Sequence, residues 1–380
     1  MIAVLFPRFD HSAIEERFAS WQAETIVRAQ TREFHYYDAH QHAKDVVRDV
    51  DTELVFVVTD PLVLCSKNLL ARLSTLLEGA DAVVPVTNEP THPQQQRVPP
   101  APYMTLRELE DAARIFEQEP NTVTRVTWDD PDPAAYLCRA DLLAHTNAPL
   151  RDVLRGRTVA ISKTDFVHRW SSMRGQVRHD LLDRIDTDAK SILEFGCGEA
   201  PLGAALKARQ RCRVVGVELD RDAAAIARKR IDDVYQGDVR EIIEIIKERF
   251  DWIIGGDIVE HLDDPWSFLE SLRQLSKPAG RLLLSLPNLA NASVIADLLQ
   301  GRFDYVYMGL TCVGHVRFFT KKSIEDLLVM TGWEPVEIAP QQLAVTPQAS
   351  ELIDRLAAAN IGFSRDDLTA SGYYVVARNR

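Results

Sequence analysis

The segment Ser191-Ile-Leu-Glu-Phe-Gly-Cys-Gly-Glu-Ala200 constrains this chain more than any other. Its apolar run ends in two glycines one residue apart, and Leu202 to Arg209 then reads as a helix. A strand that stops at a glycine turn and passes into a helix opens a parallel, helix-flanked sheet. Gly196 and Gly198 lack Cβ atoms and tolerate positive φ, so the turn leaves room for a ligand beside the backbone. A dinucleotide fingerprint would place a third glycine three residues after Gly198, where the chain has Pro201; this counts against a nicotinamide cofactor.

The strands downstream of the turn narrow the choice further. Arg213-Val-Val-Gly-Val-Glu218 forms a second strand, and its terminal carboxylate, about 20 residues after the turn, is placed to accept both hydroxyls of a ribose. Gly237-Asp238-Val239 succeeds a short strand at Asp233 to Tyr235, and Phe250 to Asp257 makes a fourth strand with another terminal acid. A lead-in helix is expected over Gly175 to Ile185. Upstream, apolar runs at Ile2 to Phe6, Leu54 to Val58, Ala82 to Val86 and Ala134 to Cys138 alternate with helical stretches at Lys67 to Leu77 and Thr105 to Gln118. The 380 residues therefore read as two α/β domains, 1–160 and 165–380, with the linker near 150–165. Between Asn88 and Pro102 almost nothing is apolar, and an exposed, mobile excursion is expected there.

From Arg178 to Arg380 the chain resembles the class I S-adenosylmethionine-dependent methyltransferases. Leu193-Glu-Phe-Gly-Cys-Gly198, Val217-Glu218, Gly237-Asp-Val239, Asp257-Ile-Val-Glu-His-Leu262 and the strand Lys277 to Asn288 stand in family order. It is most similar to the ubiquinone-type O-methyltransferases and the related enzymes of bacterial glycan pathways. The resemblance implies a Rossmann-like seven-stranded sheet, S-adenosyl-L-methionine as cofactor, and methyl transfer as the activity. Glu194 and Gly196, with Cys197 and Gly198 in the same turn, would face the amino-acid end of the cofactor. Glu218 would face the ribose, Asp238 with the Val239 backbone the adenine, and Asp257 would complete the set. Ala200 stands where the family often has a third glycine. Other readings compete: Glu218 as a solvated strand-end acid, Asp238 as a helix cap, and Asp220 as the ribose ligand in place of Glu218.

A sugar hydroxyl is a poor nucleophile at neutral pH, so its methylation gains from a general base or from a metal that lowers its pKa. Asp257, Glu260 and His261 lie at the end of the fourth strand, where ligands meet in open parallel sheets. These three are the candidate catalytic residues, with His261 as the base. Together with His315 they resemble in spacing the magnesium-binding set of the small-RNA 2′-O-methyltransferases, which hold a vicinal diol through the metal. Asp257, Glu260, His261 and His315 are accordingly candidate ligands for a divalent metal ion, and two carboxylates with two imidazoles favour Mn²⁺, Fe²⁺ or Zn²⁺ over Mg²⁺. Asn288, His315 and Arg317 are candidate acceptor-binding residues, Arg317 through its planar fork on a phosphate or carboxylate. Against these stand plain structural roles, a helix-dipole contact for Glu260 and a packing role for Arg317.

Glu53 to Asp60, the helix after it and Asp81 to Val86 loosely resemble the nucleotide-sugar half of a GT-A glycosyltransferase. Pro61 and Leu62 come after Asp60 where that family supplies a second metal-binding acid, and Asp129, Asp130 and Asp132 are the replacements on offer. The resemblance implies a degenerate accessory domain that recognises an acceptor or packs a homodimer. The acceptor expected for the whole chain is a sugar, glycan or related small molecule. The alternatives are a phenol, carboxylate or amine, or a scaffold with a vestigial cofactor pocket. The formal charge, 44 − 56 = −12, disfavours nucleic acid as a partner. No apolar run approaches the roughly 20 residues of a membrane span. Five dispersed cysteines without a CxxC pair fit a reducing, cytoplasmic setting.

Overall fold

A computed structural model describes residues 2–8, 13–60, 63–65 (backbone only), 68–90, 92–97, 102–120, 122–130, 132–169 and 175–379. Two compact units emerge, Met1–Ser171 with Asp304–Met308, and Ser172–Phe303 with Gly309–Arg380. No helix among the described residues is long and apolar enough to cross a membrane.

The first unit contains β1 (Ile2–Pro7), β2 (Glu33–Tyr37), β3 (Leu54–Val58), β4 (Val63–Cys65), β5 (Ala82–Thr87), β6 (Val123–Trp128), β7 (Ala135–Arg139) and β8 (Arg157–Arg169). They form one sheet in the order β2-β1-β3-β7-β5-β8-β4, with β6 also paired to β8. Leu5, Val55 and Val57 pack into one core layer, and Val4, Phe6, Phe56 and Val58 into the other. Alternate residues of each strand thus serve opposite faces, which is why these strands read as unbroken apolar runs. The helix Leu106–Glu117 starts at a capping box, Thr105 with Glu108, at the position the sequence marks.

Two stretches of this unit differ from expectation. β8 runs through residues 157–169, where the sequence suggests a linker. Its polar centre hides it, because Ser162, Thr164 and Asp165 are buried and Asp165 accepts from Ser162 (2.7 Å) and pairs with Arg72 (2.5 Å). The Pro- and Gln-rich stretch is anchored: Gln95 is buried and donates from Nε2 to the Pro85 and Pro133 carbonyls, 2.9 and 3.1 Å. Residues 91 and 98–101 of that stretch lie outside the described set, as do 61 and 62. Asp60 does acquire a second acid beside it, Asp132. Both pair with Arg169, at 2.5 and 3.1 Å, so their charge is met by a guanidinium.

The second unit contains β9 (Ser191–Phe195), β10 (Arg213–Glu218), β11 (Asp233–Gln236), β12 (Phe250–Gly256), β13 (Ser276–Pro287), β14 (Trp333–Gln342) and β15 (Ala370–Asn379). Their order is β11-β10-β9-β12-β13-β15-β14. β9 to β13 are mutually parallel, and β15 enters antiparallel between β13 and β14. The chain winds outward from β9 through β10 to β11 and then returns to the other side of β9 with β12. The direction of winding reverses there, and helices on opposite faces leave a crevice at the carboxyl ends of β9 and β12. The lead-in helix is a single turn, His179–Leu182.

Packing beneath the crevice leaves no slack. A Cβ on Gly216 of β10 would stand 2.6 Å from Cys197 Sγ and 2.9 Å from Ile231 Cδ1. Gly216→Ala is therefore expected to overpack the floor of the glycine turn and to destabilise the chain by about 1–3 kcal/mol, measured as a lower denaturant midpoint with an unchanged slope.

Candidate active site

β9 delivers Glu194 to the crevice, and the turn beyond it runs through Gly196 and Gly198, both at positive φ (66° and 56°). A side chain at Gly196 would be strained there, and its Cβ would lie 2.2 Å from Ile258 Cδ1. Glycine is required at this position by the residue after Asp257, as well as by the turn. Cys197 points the other way. Its thiol is buried against Gly216, and burial, reinforced by Glu194, raises its pKa, so only its backbone belongs to the turn.

The second strand end closes on the first. Glu218 Oε2 accepts the Gly198 N–H at 2.7 Å, and Oε1 accepts the Asp220 N–H at 2.8 Å. Asp220 itself caps the next helix, accepting from the Asp222 and Ala223 N–H groups at 2.9 Å, which leaves Glu218 as the acid at the turn. Glu194 is buried, and its Oε2 has no hydrogen-bond partner. Burial, and then the nearby Glu218 charge, push its pKa up to about 8. A buried carboxyl left in this state is costly, and it suits a cationic ligand group. Asp238 caps the helix Val239–Ile245 through the Arg240 N–H and pairs with the Arg240 side chain, which lowers its pKa. Val239 is half-buried against the core.

At the end of β12 the expected acidic and imidazole set separates into two groups. Asp257 (φ 55°) turns to Arg178 Nη1 (2.5 Å) and accepts from Ser285 Oγ (2.8 Å). Arg178 in turn holds Asp180, which also accepts from the Tyr374 hydroxyl at 2.9 Å. Glu260, His261 and His315 come together instead, with one potential ligand atom from each lying within 4.8 Å of the others. Glu260 is 1% exposed and neither carboxyl oxygen has a hydrogen-bond partner. Burial, and then Asp257, raise its pKa. His315 Nε2 lies 4.0 Å from Glu260 Oε1, beyond hydrogen-bond range, and His315 Nδ1 has no partner. Burial, and then His261, lower the His315 pKa to about 4.

Two loops latch to hold this group. The Glu260 carbonyl accepts from the Val316 and Arg317 N–H groups, at 2.9 and 3.0 Å, while His261 Nδ1 meets the Gly314 carbonyl at 3.0 Å. A carbonyl can only accept, so this contact places the proton of neutral His261 on Nδ1 and makes Nε2 the basic nitrogen. The rings of His261 and His315 meet edge to face, with centroids 4.9 Å apart.

Two candidate acceptor residues are placed elsewhere. Asn288 is fully buried, donating to the Asp367 and Ala370 carbonyls (2.7 and 3.0 Å) and accepting from the Ala290 N–H, so its amide ties loops together. Arg317 directs its guanidinium to the carbonyls of Val316 and Asp263 and closes the loop carrying His315. Arg178, Ser285 and Gly314 are site residues that the sequence does not mark. Arg178 lies 79 residues from Asp257, with no local spacing to betray it.

A family profile described as a methyltransferase domain matches residues 168–338. The chain is similar to a ubiquinone biosynthesis O-methyltransferase of Cereibacter sphaeroides, 24% identical over 163 residues, 42% of this chain and 66% of that one. A Dinoroseobacter shibae protein of the same description is 30% identical over 153 residues, covering 38% and 60%. The chain thus spans about two thirds or less of the length of these relatives. Among solved structures, a SAM-dependent methyltransferase from Archaeoglobus fulgidus matches with a TM-score of 0.40 at 16% identity, over 55% of this chain and 93% of that one.

The raised pKa of Glu194 has a defined consequence for the ligand-free protein. Its ordinary value is 4.5 and its folded value about 8, so its contribution to stability is complete at low pH and is lost as pH rises through that interval. Glu194→Gln is expected to gain stability relative to the parent between about pH 6 and about pH 9, read from denaturant midpoints at the two pH values.

Proposed function

We propose that this chain, whose C-terminal half is a class I S-adenosylmethionine-dependent methyltransferase domain, methylates a hydroxyl oxygen of a sugar, glycan or related small molecule. The observation that carries the reading is the Glu260–His261–His315 group at the carboxyl end of β12, across the crevice from the glycine turn. An amine is already nucleophilic when neutral, whereas an alcohol gains from a group that takes its proton. The O-methyltransferase description of the relatives points to the same kind of acceptor.

The residues present suit S-adenosyl-L-methionine. The orphaned Oε2 of buried Glu194 fits its ammonium group, the Gly196–Gly198 turn leaves backbone room, and Glu218 keeps acceptor capacity for ribose hydroxyls beyond the two N–H groups it already holds. Asp238 and Val239 border the adenine end. The bound cofactor supplies a methyl group already activated on a sulfonium centre. The protein has then to align an acceptor oxygen with it and to take the hydroxyl proton. His261 Nε2 is the acceptor for that proton, with Nδ1 held by Gly314, and Glu260 stands beside it to stabilise the imidazolium.

A divalent ion also fits the group. Both Glu260 oxygens lack hydrogen-bond partners in a buried setting, and His315 Nε2 lies 4.0 Å from one of them; a cation there would satisfy the carboxyl group. Glu260, His261 and His315 would be its ligands. The two imidazoles favour Mn²⁺, Fe²⁺ or Zn²⁺, and the ion would lower the pKa of a bound hydroxyl. Asp257 is engaged by Arg178 and Ser285. The first unit, on this reading, serves as an accessory domain that recognises the acceptor.

The test is a screen of sugar and phenol acceptors with methyl-labelled cofactor. His261→Ala is expected to cut turnover by about 10²-fold or more while leaving cofactor affinity nearly intact. Activity that survives chelation assigns His261 as a base. Loss on chelation, restored by divalent ion and copied by His315→Ala, assigns it as a ligand. Normal turnover of His261→Ala on its acceptor would exclude both roles.

A further inference from the structure

β2 is the outermost strand of the first sheet, paired on one side only, with β1. The Arg8 N–H donates to the Tyr37 carbonyl at 2.7 Å, which fixes the phase of the ladder. Tyr37, His35 and Glu33 turn their backbone groups toward β1, and by alternation Phe34 and Tyr36 turn theirs outward. Among the described residues, other sheet edges are poorer templates. β14 carries Pro335 and Pro340 and two register shifts, β4 and β11 span three and four residues, and β6 has exposed Arg125 at its middle. β2 has no proline, bulge or lysine to blunt it.

Two exposed, opposite charges bracket this strand, Arg32 before it and Asp38 after it, and neither side chain has an ion-pair partner among the described residues. They are symmetric about His35. Antiparallel pairing of β2 with β2 of a second copy, centred on His35, sets outward-facing Phe34 opposite Tyr36 of the other copy. The same register sets Arg32 opposite Asp38, twice by symmetry. Centring on Phe34 or Tyr36 would also satisfy the hydrogen bonds but would lose the charge pairs.

The face above the strand is prepared for contact. Tyr36 is 43% exposed, and its hydroxyl donates to Glu24 Oε1 (2.6 Å) and accepts from Arg28 Nη2 (3.2 Å). Arg28 also stacks over Phe34, 4.0 Å from the ring centroid. Two turns before Arg28 on the helix Ile14–Arg28, Trp21 is 65% exposed beside Phe18. Rigid aromatic groups of this kind anchor interfaces.

We infer that the chain forms a two-fold homodimer through its first unit, with β2 pairing antiparallel to β2 of a second copy in the His35-centred register and Arg32 pairing with Asp38 across the axis. The test is sedimentation equilibrium of the full chain at about 50 µM, with thermal unfolding as a check that each variant is folded. The parent is expected to be a dimer. Arg32→Asp and Asp38→Arg each set like charges opposite one another and should weaken association by about tenfold or more. The double variant Arg32→Asp/Asp38→Arg should restore it, and an equimolar mixture of the two single variants should form a heterodimer. A monomeric parent, single variants that dimerise as the parent does, or a double variant as weak as the singles would each overturn the inference.

Discussion

One carboxylate receives two backbone N–H groups from different turns, Gly198 at the end of β9 and Asp220 at the end of β10. Glu218 thereby shapes the glycine turn and positions itself at the rim of the crevice in the same act. A carboxylate has about four lone-pair sites, so holding the turn does not exhaust its capacity to accept hydroxyls. The turn in turn requires Gly196, because Ile258 fills the space a side chain would need. Through that contact the glycine turn and the segment bearing Glu260 and His261 are packed as one structure, and a change at either is felt at the other.

The chemistry of the crevice arises from what is left unsatisfied. Glu194 presents a buried oxygen without a partner, and Glu260 presents two. A folded chain ordinarily pairs such groups, and on the function proposed above a ligand would complete each of them. The two differ in kind. Glu194 faces a turn built of backbone, suited to holding a charged ligand, whereas Glu260 shares its surroundings with two imidazoles, suited to handling a proton or a metal ion.

Legibility in the sequence tracks burial. The centres of β1, β3, β9, β10 and β12 are covered on both faces and read as apolar runs, and Asp60, Glu218 and Asp257 can be assigned because they close β3, β10 and β12. β8 is hidden by the buried polar group of Ser162, Thr164 and Asp165, and β14 by its two prolines. The meeting of Glu260 and His261 with His315 can be anticipated only through spacing shared with a known family. The ion pair of Asp257 with Arg178, and the burial of Asn288 among loop carbonyls, arise from contacts between segments distant in the chain, which no local pattern records.

The central claim, that the reversal between β9 and β12 forms an S-adenosylmethionine site organised by Glu218, is met most directly by calorimetric titration of the full chain with that compound. One site per chain is predicted, with affinity reduced by about tenfold or more in Glu218→Ala as buried ribose hydrogen bonds and the tie to Gly198 are lost. No heat of binding at about millimolar cofactor, or equal affinity in the parent and in Glu218→Ala, would contradict it.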